Sequence, residues 1–185
     1  MMTDNSRISG TEAARSASAF PAWPLPPDPT AAPTARSIAG RLSAELELSP
    51  SVTDDIRTIV SELAANAVLH GDRWSAELWA RIGRRNRPHV TFTVFDAGPW
   101  RGPAMLPAGP IEPSEACRGR GLALVSALTA EIGGRWGVHP GRARLGAPGG
   151  PGRDPVFGKA VYVAVPLPLR FLIVPEFGAP SRGLR

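Results

Sequence analysis

Apolar residues recur at helical spacing twice in the first part of the chain. Ile38, Leu42, Leu46 and Leu48 predict a helix over residues 34–48, closed by the Ser49-Pro50 step. Ile56, Ile59, Val60, Leu63 and Ala67 predict a second helix, capped by Ser51 or Thr53 and running to about Leu69. Gly71 follows it, the residue type best suited to a left-handed turn past a helix end. The period then shortens to two: residues 76–82 and 90–96 predict an antiparallel hairpin across the polar run R-R-N-R-P-H. A third helix opens at R-G-R-G-L-A-L-V, with Leu122, Leu124, Val125 and Leu128 as its apolar positions, and alternation returns over residues 158–165.

Between these elements the pattern disappears. Residues 1–33, rich in Ala, Ser, Pro and Thr and containing P-A-W-P-L-P-P-D-P, read as a disordered tail in which Trp23 is either a docking anchor or an ordinary exposed apolar residue. Residues 100–117 and 139–157 are Pro- and Gly-rich, and loops of that length in a compact domain are usually lids or disordered segments. Residues 171–174 are too few to assign, and the tail beyond reads as loose.

Three places along this pattern carry candidate chemistry. In the second helix Glu62, Asn66 and His70 lie four residues apart, on one face, along the edge of the apolar stripe. A partly buried carboxylate and carboxamide need partners. Two descriptions fit: an amphipathic helix with a polar edge, or an edge meeting a divalent cation with its water and phosphate oxygens, since magnesium is held by few protein groups plus phosphates. In the second strand Val90, Phe92 and Val94 share a face with Asp96, so a carboxylate ends an apolar row, and Gly98 lets the backbone turn closely past what it binds. A carboxylate only accepts hydrogen bonds, and an amine such as that of adenine would satisfy it; an ordinary Asp-x-Gly turn is the alternative. Third, Gly119 and Gly121 precede a helix whose unpaired N–H groups can receive phosphates, with Arg118 and Arg120 adding positive charge, unless the glycines only relieve crowding between helix and sheet.

Composition changes this picture little. The 185 residues suit one domain, and 43% hydrophobic with 20% charged residues is ordinary for a soluble globular chain. The net charge of +5 and pI near 10.8 point toward nucleic acid, but the basic residues are scattered, without an arginine-rich helix or interleaved aromatics, so direct nucleic-acid binding is not expected. Lys159 is the only lysine. Cys117 is the only cysteine, which excludes an intramolecular disulfide and a cysteine metal cage. The sequence lacks a signal-like N-terminus and any apolar run of membrane-spanning length, and reads as cytoplasmic.

Taken in order, a helix with E-L-x-x-N-A-x-x-H-G, a strand ending V-F-D-A-G-P, a long lid, G-R-G-L-A-L-V and a last strand G-K-A-V-Y-V resemble the ATP-binding domain of the GHKL superfamily of histidine kinases, gyrase and MutL. The compact form, with H-G after the helix motif and W-G-V before the last loop, most resembles the anti-sigma factor serine/threonine kinases. The resemblance implies an α/β (α+β) two-layer sandwich of the Bergerat type, a mixed, mostly antiparallel sheet covered on one face by helices. It covers residues 34–166, with a lid at about 99–118 and an extra loop at about 139–157, between tails 1–33 and 167–185. It further implies ATP and Mg2+: Glu62 as base or orienter of the attacking hydroxyl, Asn66 as magnesium ligand, and Asp96 with Gly98 beside it reading adenine. Gly119, Gly121 and Leu122 would lie at the phosphates, Arg118 or Arg120 would neutralise charge during transfer, and Lys159 would belong to the ATP site. His70 would border the nucleotide, with packing and catalysis both open.

The implied function is a serine/threonine protein kinase acting as an anti-sigma factor, which phosphorylates an antagonist protein and can also sequester a sigma factor, with a homodimer left open. The alternative is a non-catalytic, ATP-dependent protein-binding module. Two departures stand out. Where the family often carries a hydroxyl after Gly-Lys in the last strand to help bind adenine, this chain has Ala160, which implies a polar contact either missing or replaced by water and a modest affinity; and the loop 139–157 is longer than its connection needs.

Overall fold

The computed structural model describes residues 21–72, 75–83, 87–99, 120–145 and 155–168 and, of Arg120, the backbone. Within them the chain forms β1 (Ala22–Pro24), α1 (Ala31–Glu45), α2 (Pro50–His70), β2 (Glu77–Gly83), β3 (His89–Asp96), α3 (Arg120–Glu131), β4 (Arg135–Arg142) and β5 (Phe157–Pro166). The sheet has five strands in the order β1-β2-β3-β5-β4. Each described pairing is antiparallel, so the sheet expected to be mixed is antiparallel among these residues. The three helices lie on one face of it, which makes the two-layer α+β sandwich that the sequence implies.

Strand parity sorts the side chains. Leu78 and Ala80 of β2, Val90, Phe92 and Val94 of β3, Trp136 and Val138 of β4, and Val161, Val163 and Val165 of β5 meet Ile56, Ile59, Val60 and Leu63 of α2 in the main core. The opposite face carries a smaller cluster of Trp79, Phe95 and Ala160, on which Ala143 and Val156 pack. Pro140 lies in β4, whose last residues, 139–142, the sequence pattern places in the extra loop; β4 is the sheet edge, where a residue without an N–H is tolerated.

The helix ends differ from expectation in instructive ways. Ser49, rather than Ser51 or Thr53, caps α2, accepting from the Val52 N–H, with Pro50 in the first turn where its missing donor costs nothing. α1 ends before the Ser49-Pro50 step. Leu48 N–H donates to Ser43 O and Glu47 N–H to Ala44 O, a Schellman pattern in which Glu47 holds φ 50°. α3 closes the same way: Gly134 N–H donates to Thr129 O, Gly133 N–H to Ala130 O, and Gly133 holds φ 63°. Gly71, by contrast, is extended at φ −105°, ψ −160°, so its conformation does not require glycine.

The stretch expected as a structureless tail is also partly built. Ala22, Trp23 and Pro24 pair with Trp79, Leu78 and Glu77 as an added edge strand, and Ala80 N–H donates to Pro21 O. Trp23 packs against the main core from that strand. Pairing with three residues of β2 and an apolar surface beneath override a local sequence with little strand propensity.

Candidate functional site

The α2 stripe meets the start of α3. Helical spacing places Glu62 and Asn66 half-buried at the margin of the α2 core face, and His70 exposed at the helix end. The point where a Cβ on Gly121 would sit is 2.6 Å from Glu62 Oε2 and 3.5 Å from Asn66 Nδ2, so both side chains reach the first turn of α3. Rotating the Asn66 amide by half a turn presents its oxygen at the same place. α2 is fixed against α1 by Ser61, which is buried, accepts from Arg36 Nε at 2.9 Å and donates to Arg57 O at 2.8 Å. Leu122 packs against the main core. Arg118 and Gly119 lie outside the described residues, as do the Arg120 side chain and residues 100–119 of the lid.

Asp96 marks the other end of the site. Its carboxylate, 3% exposed, stands at the inner face where β3 ends, as the strand parity requires. Oδ1 accepts from Gly98 N–H at 2.8 Å and from Lys159 Nζ at 2.5 Å, and the carboxylate also accepts from the Asp72 N–H. Burial pushes the Asp96 carboxyl above the ordinary carboxylate range, while Lys159 and the two backbone donors pull it back. The adjacent turn is braced by Ser75, whose Oγ accepts from Ala97 N–H at 2.9 Å and donates to Asp72 O at 3.1 Å.

Glycine matters here for approach rather than for dihedral freedom. A Cβ on Gly71 would collide with the Asp96 carboxylate, and one on Gly98 would collide with the Gly71 backbone and lie 2.7 Å from Asp72 N. The turn after β3 and the turn after α2 therefore pass in backbone contact beside the carboxylate.

Lys159 pairs directly with Asp96 in the β3–β5 register, so the two side chains share the inner face. The register also corrects the reading of Ala160. It pairs with Phe95 and is buried on the outer face with Trp79, so a hydroxyl at that position would point away from Asp96. The side chain that β5 offers to Asp96 is Lys159. The family resemblance implies Lys159 at the site, whereas its ion pair with Asp96 is set by the pairing of two strands distant in sequence.

A residue absent from the expectations organises the outer face. Glu77, 3% exposed, accepts from Trp79 Nε1 at 2.6 Å, from Arg144 N–H at 2.9 Å and from Leu145 N–H at 3.0 Å. Trp79 stacks on Phe95 at 5.3 Å, and the Arg144 guanidinium lies 4.4 Å above the Trp79 ring. The start of the long loop after β4 is thus strapped across the sheet, which accounts for residues 143–145 of a segment otherwise without an assigned purpose.

A two-layer sandwich with one half-buried acidic and amide stripe, a helix start facing it and a buried carboxylate at a strand end defines an ATPase-type domain of the histidine kinase class. Residues 25–141 match the family described as histidine kinase-like ATPase domain, and the chain belongs to that family. Among solved structures it is similar to the histidine kinase domain of the Erythrobacter litoralis EL346 blue-light activated histidine kinase. That match has 21% identity and a TM-score of 0.43, over 75% of this chain and 64% of that one. It is also similar to the mycobacterial sensor histidine kinase MprB, with 19% identity and a TM-score of 0.36, over 62% of this chain and 72% of that one. A longer Erythrobacter litoralis EL346 chain matches at 19% identity and a TM-score of 0.41, with 72% of this chain covering 45% of it. Compared with curated proteins, the chain matches none. Among the described residues no helix is long and apolar enough to cross a membrane.

Proposed function

We propose that this chain is an ATP-dependent serine/threonine protein kinase of the anti-sigma factor type, which binds and phosphorylates an antagonist protein. The observation that carries the reading is the convergence of Glu62 and Asn66 on Gly121 at the start of α3, with the buried Asp96 at the far end of the same face. The residues fit a magnesium nucleotide. Asn66 offers an amide oxygen, the first turn of α3 offers backbone N–H groups of the kind that helix starts present to phosphates, and Asp96 offers an acceptor in an apolar wall. Among the described residues no group of three or more His, Cys, Asp and Glu suits a metal ion. Magnesium would then be held by Asn66 together with phosphate and water oxygens.

When bound, the magnesium nucleotide supplies the phosphoryl group and screens its charge. Asp96 orients the base by accepting from its exocyclic amine. The first turn of α3 receives phosphate oxygens. Glu62, one helical turn before Asn66, accepts a hydrogen bond from the attacking hydroxyl and takes its proton. Phosphoryl transfer is mostly positioning and charge stabilisation, with one residue orienting the nucleophile, and Glu62 is the carboxylate placed for that role.

The test is capture of partners from the source cell with and without magnesium and ATP, followed by mapping of phosphate on the captured protein. Glu62→Gln keeps the side-chain shape and removes the charge. ATP and partner binding should survive, while transfer falls by roughly 10²-fold or more. If the wild-type protein transfers no phosphate while ATP still changes partner affinity, a nucleotide-switched binding module replaces the kinase.

A further inference from the structure

We propose that Lys159 determines the base specificity of this site: by donating to Asp96 Oδ1 it holds the carboxylate as an acceptor-only group, so that the pocket takes 6-aminopurine nucleotides and rejects 6-oxopurine nucleotides. The inference rests on the reading of Asp96 as the nucleobase acceptor and adds the residue that fixes its hydrogen-bonding character.

The three protons of the ammonium have three acceptors. Besides Asp96 Oδ1, Lys159 Nζ donates to Gly98 O at 3.2 Å and Pro99 O at 3.4 Å. Its charge is therefore spent inside the turn, and it is placed to shape the base site rather than to reach phosphates. The same contacts fix the path of the chain from Asp96 to Pro99.

Base discrimination follows from donor and acceptor chemistry. An ionised carboxylate accepts from the exocyclic amine of adenine and repels the O6 of hypoxanthine or guanine. A protonated carboxyl has an O–H and can donate to that O6. Whether Asp96 rejects 6-oxopurines thus depends on its staying ionised, and its burial favours the neutral form. From β5 the charged group facing it is Lys159. From the segment after α2 comes the Asp72 N–H, and among the described residues the titratable side chains on that side are Asp72 and, at the end of α2, the exposed His70. From β2, Glu77 is opposite Phe95 and turned to the outer face. Among the described residues Lys159 is the cation that contacts the carboxylate. Removing it raises the Asp96 carboxyl further, since its hydrogen bond and charge are the largest influences lowering it.

The experiment compares ATP and ITP affinity by calorimetry for the wild type, Lys159→Met and Lys159→Arg, from about pH 8 to about pH 6. The wild type should prefer ATP by a ratio that stays level across this range. In Lys159→Met the ratio should fall at least about tenfold, the equivalent of one hydrogen bond, and fall further toward the acid end. Lys159→Arg, which keeps the charge, should retain most of the wild-type ratio. If Lys159→Met weakens ATP and ITP equally at every pH, the lysine is a structural brace and the inference is wrong while the nucleotide reading stands. If Lys159→Met does not fold, the wild-type titration decides: a preference for ATP that declines from pH 8 to pH 6 overturns the inference. If the wild type binds neither nucleotide, both readings fall.

Discussion

Gly121→Ala separates a working cleft from a packing convenience. A Cβ at this position would be 2.6 Å from Glu62 Oε2, closer than the 3.0 Å that real Cβ contacts respect, so the carboxylate must withdraw by about 0.4 Å. What it meets is the tip of a flexible, half-buried side chain, which can move without disturbing the backbone. Alanine is also the better helix former by up to about 1 kcal/mol, so the displacement and the propensity offset each other and net stability should change by less than about 1 kcal/mol. Function should respond differently. A displacement of about 1 Å in a positioned group can cost 10²-fold in rate, so the smaller shift here, together with a methyl group beside the phosphates, should reduce phosphate transfer by roughly tenfold to 10²-fold. Urea unfolding measures the first quantity, and transfer to the captured partner with ATP calorimetry measures the second. Wild-type transfer and ATP affinity in a variant of unchanged stability would mean that Gly121 only eases helix–sheet packing, and that Glu62 is not held at a reacting phosphate.

Two further expectations concern the frame around the site. Gly98→Ala places a Cβ against the Gly71 and Asp72 backbone, which cannot swing aside, and should cost about 1–3 kcal/mol in urea unfolding; unchanged stability would show that the two turns are not in fixed contact. Glu77→Gln retains one oxygen but turns an amide donor toward an N–H that the carboxylate had accepted, so it should lose roughly 1.5–3 kcal/mol. Amide exchange at Arg144 and Leu145 should quicken with it, and unaltered exchange there would refute the strap.

Local patterns carried the parts of the site that local geometry determines. Glu62, Asn66 and the apolar face of α2 are spaced by one helix, and the parity that ends the Val90, Phe92 and Val94 row at Asp96 belongs to one strand. What the sequence hid depends on which strands become neighbours. Lys159 meets Asp96 only because β5 pairs with β3 in one register, and the same register turns Ala160 to the outer face. Glu77 reads as the polar phase of an alternating strand until the segment after β4 folds over it. Its place after a helix predicts a left-handed turn at Gly71, a conformation that Glu47 and Gly133 adopt instead, because glycine answers equally to a dihedral and to a close neighbour, and sequence does not distinguish the two.

The short strand β1 bears on how this domain should be cut. The family match begins at residue 25 and the periodic pattern at residue 34, and a fragment started at either point discards residues 22–24. The backbone groups of β2 that those residues occupy would then face solvent along an apolar strand, a template for pairing with a second copy. Dimers or precipitate formed by such a fragment would report the missing strand rather than the assembly of the intact chain, and measurements of oligomeric state should start from a chain that retains Pro21 and all of β1.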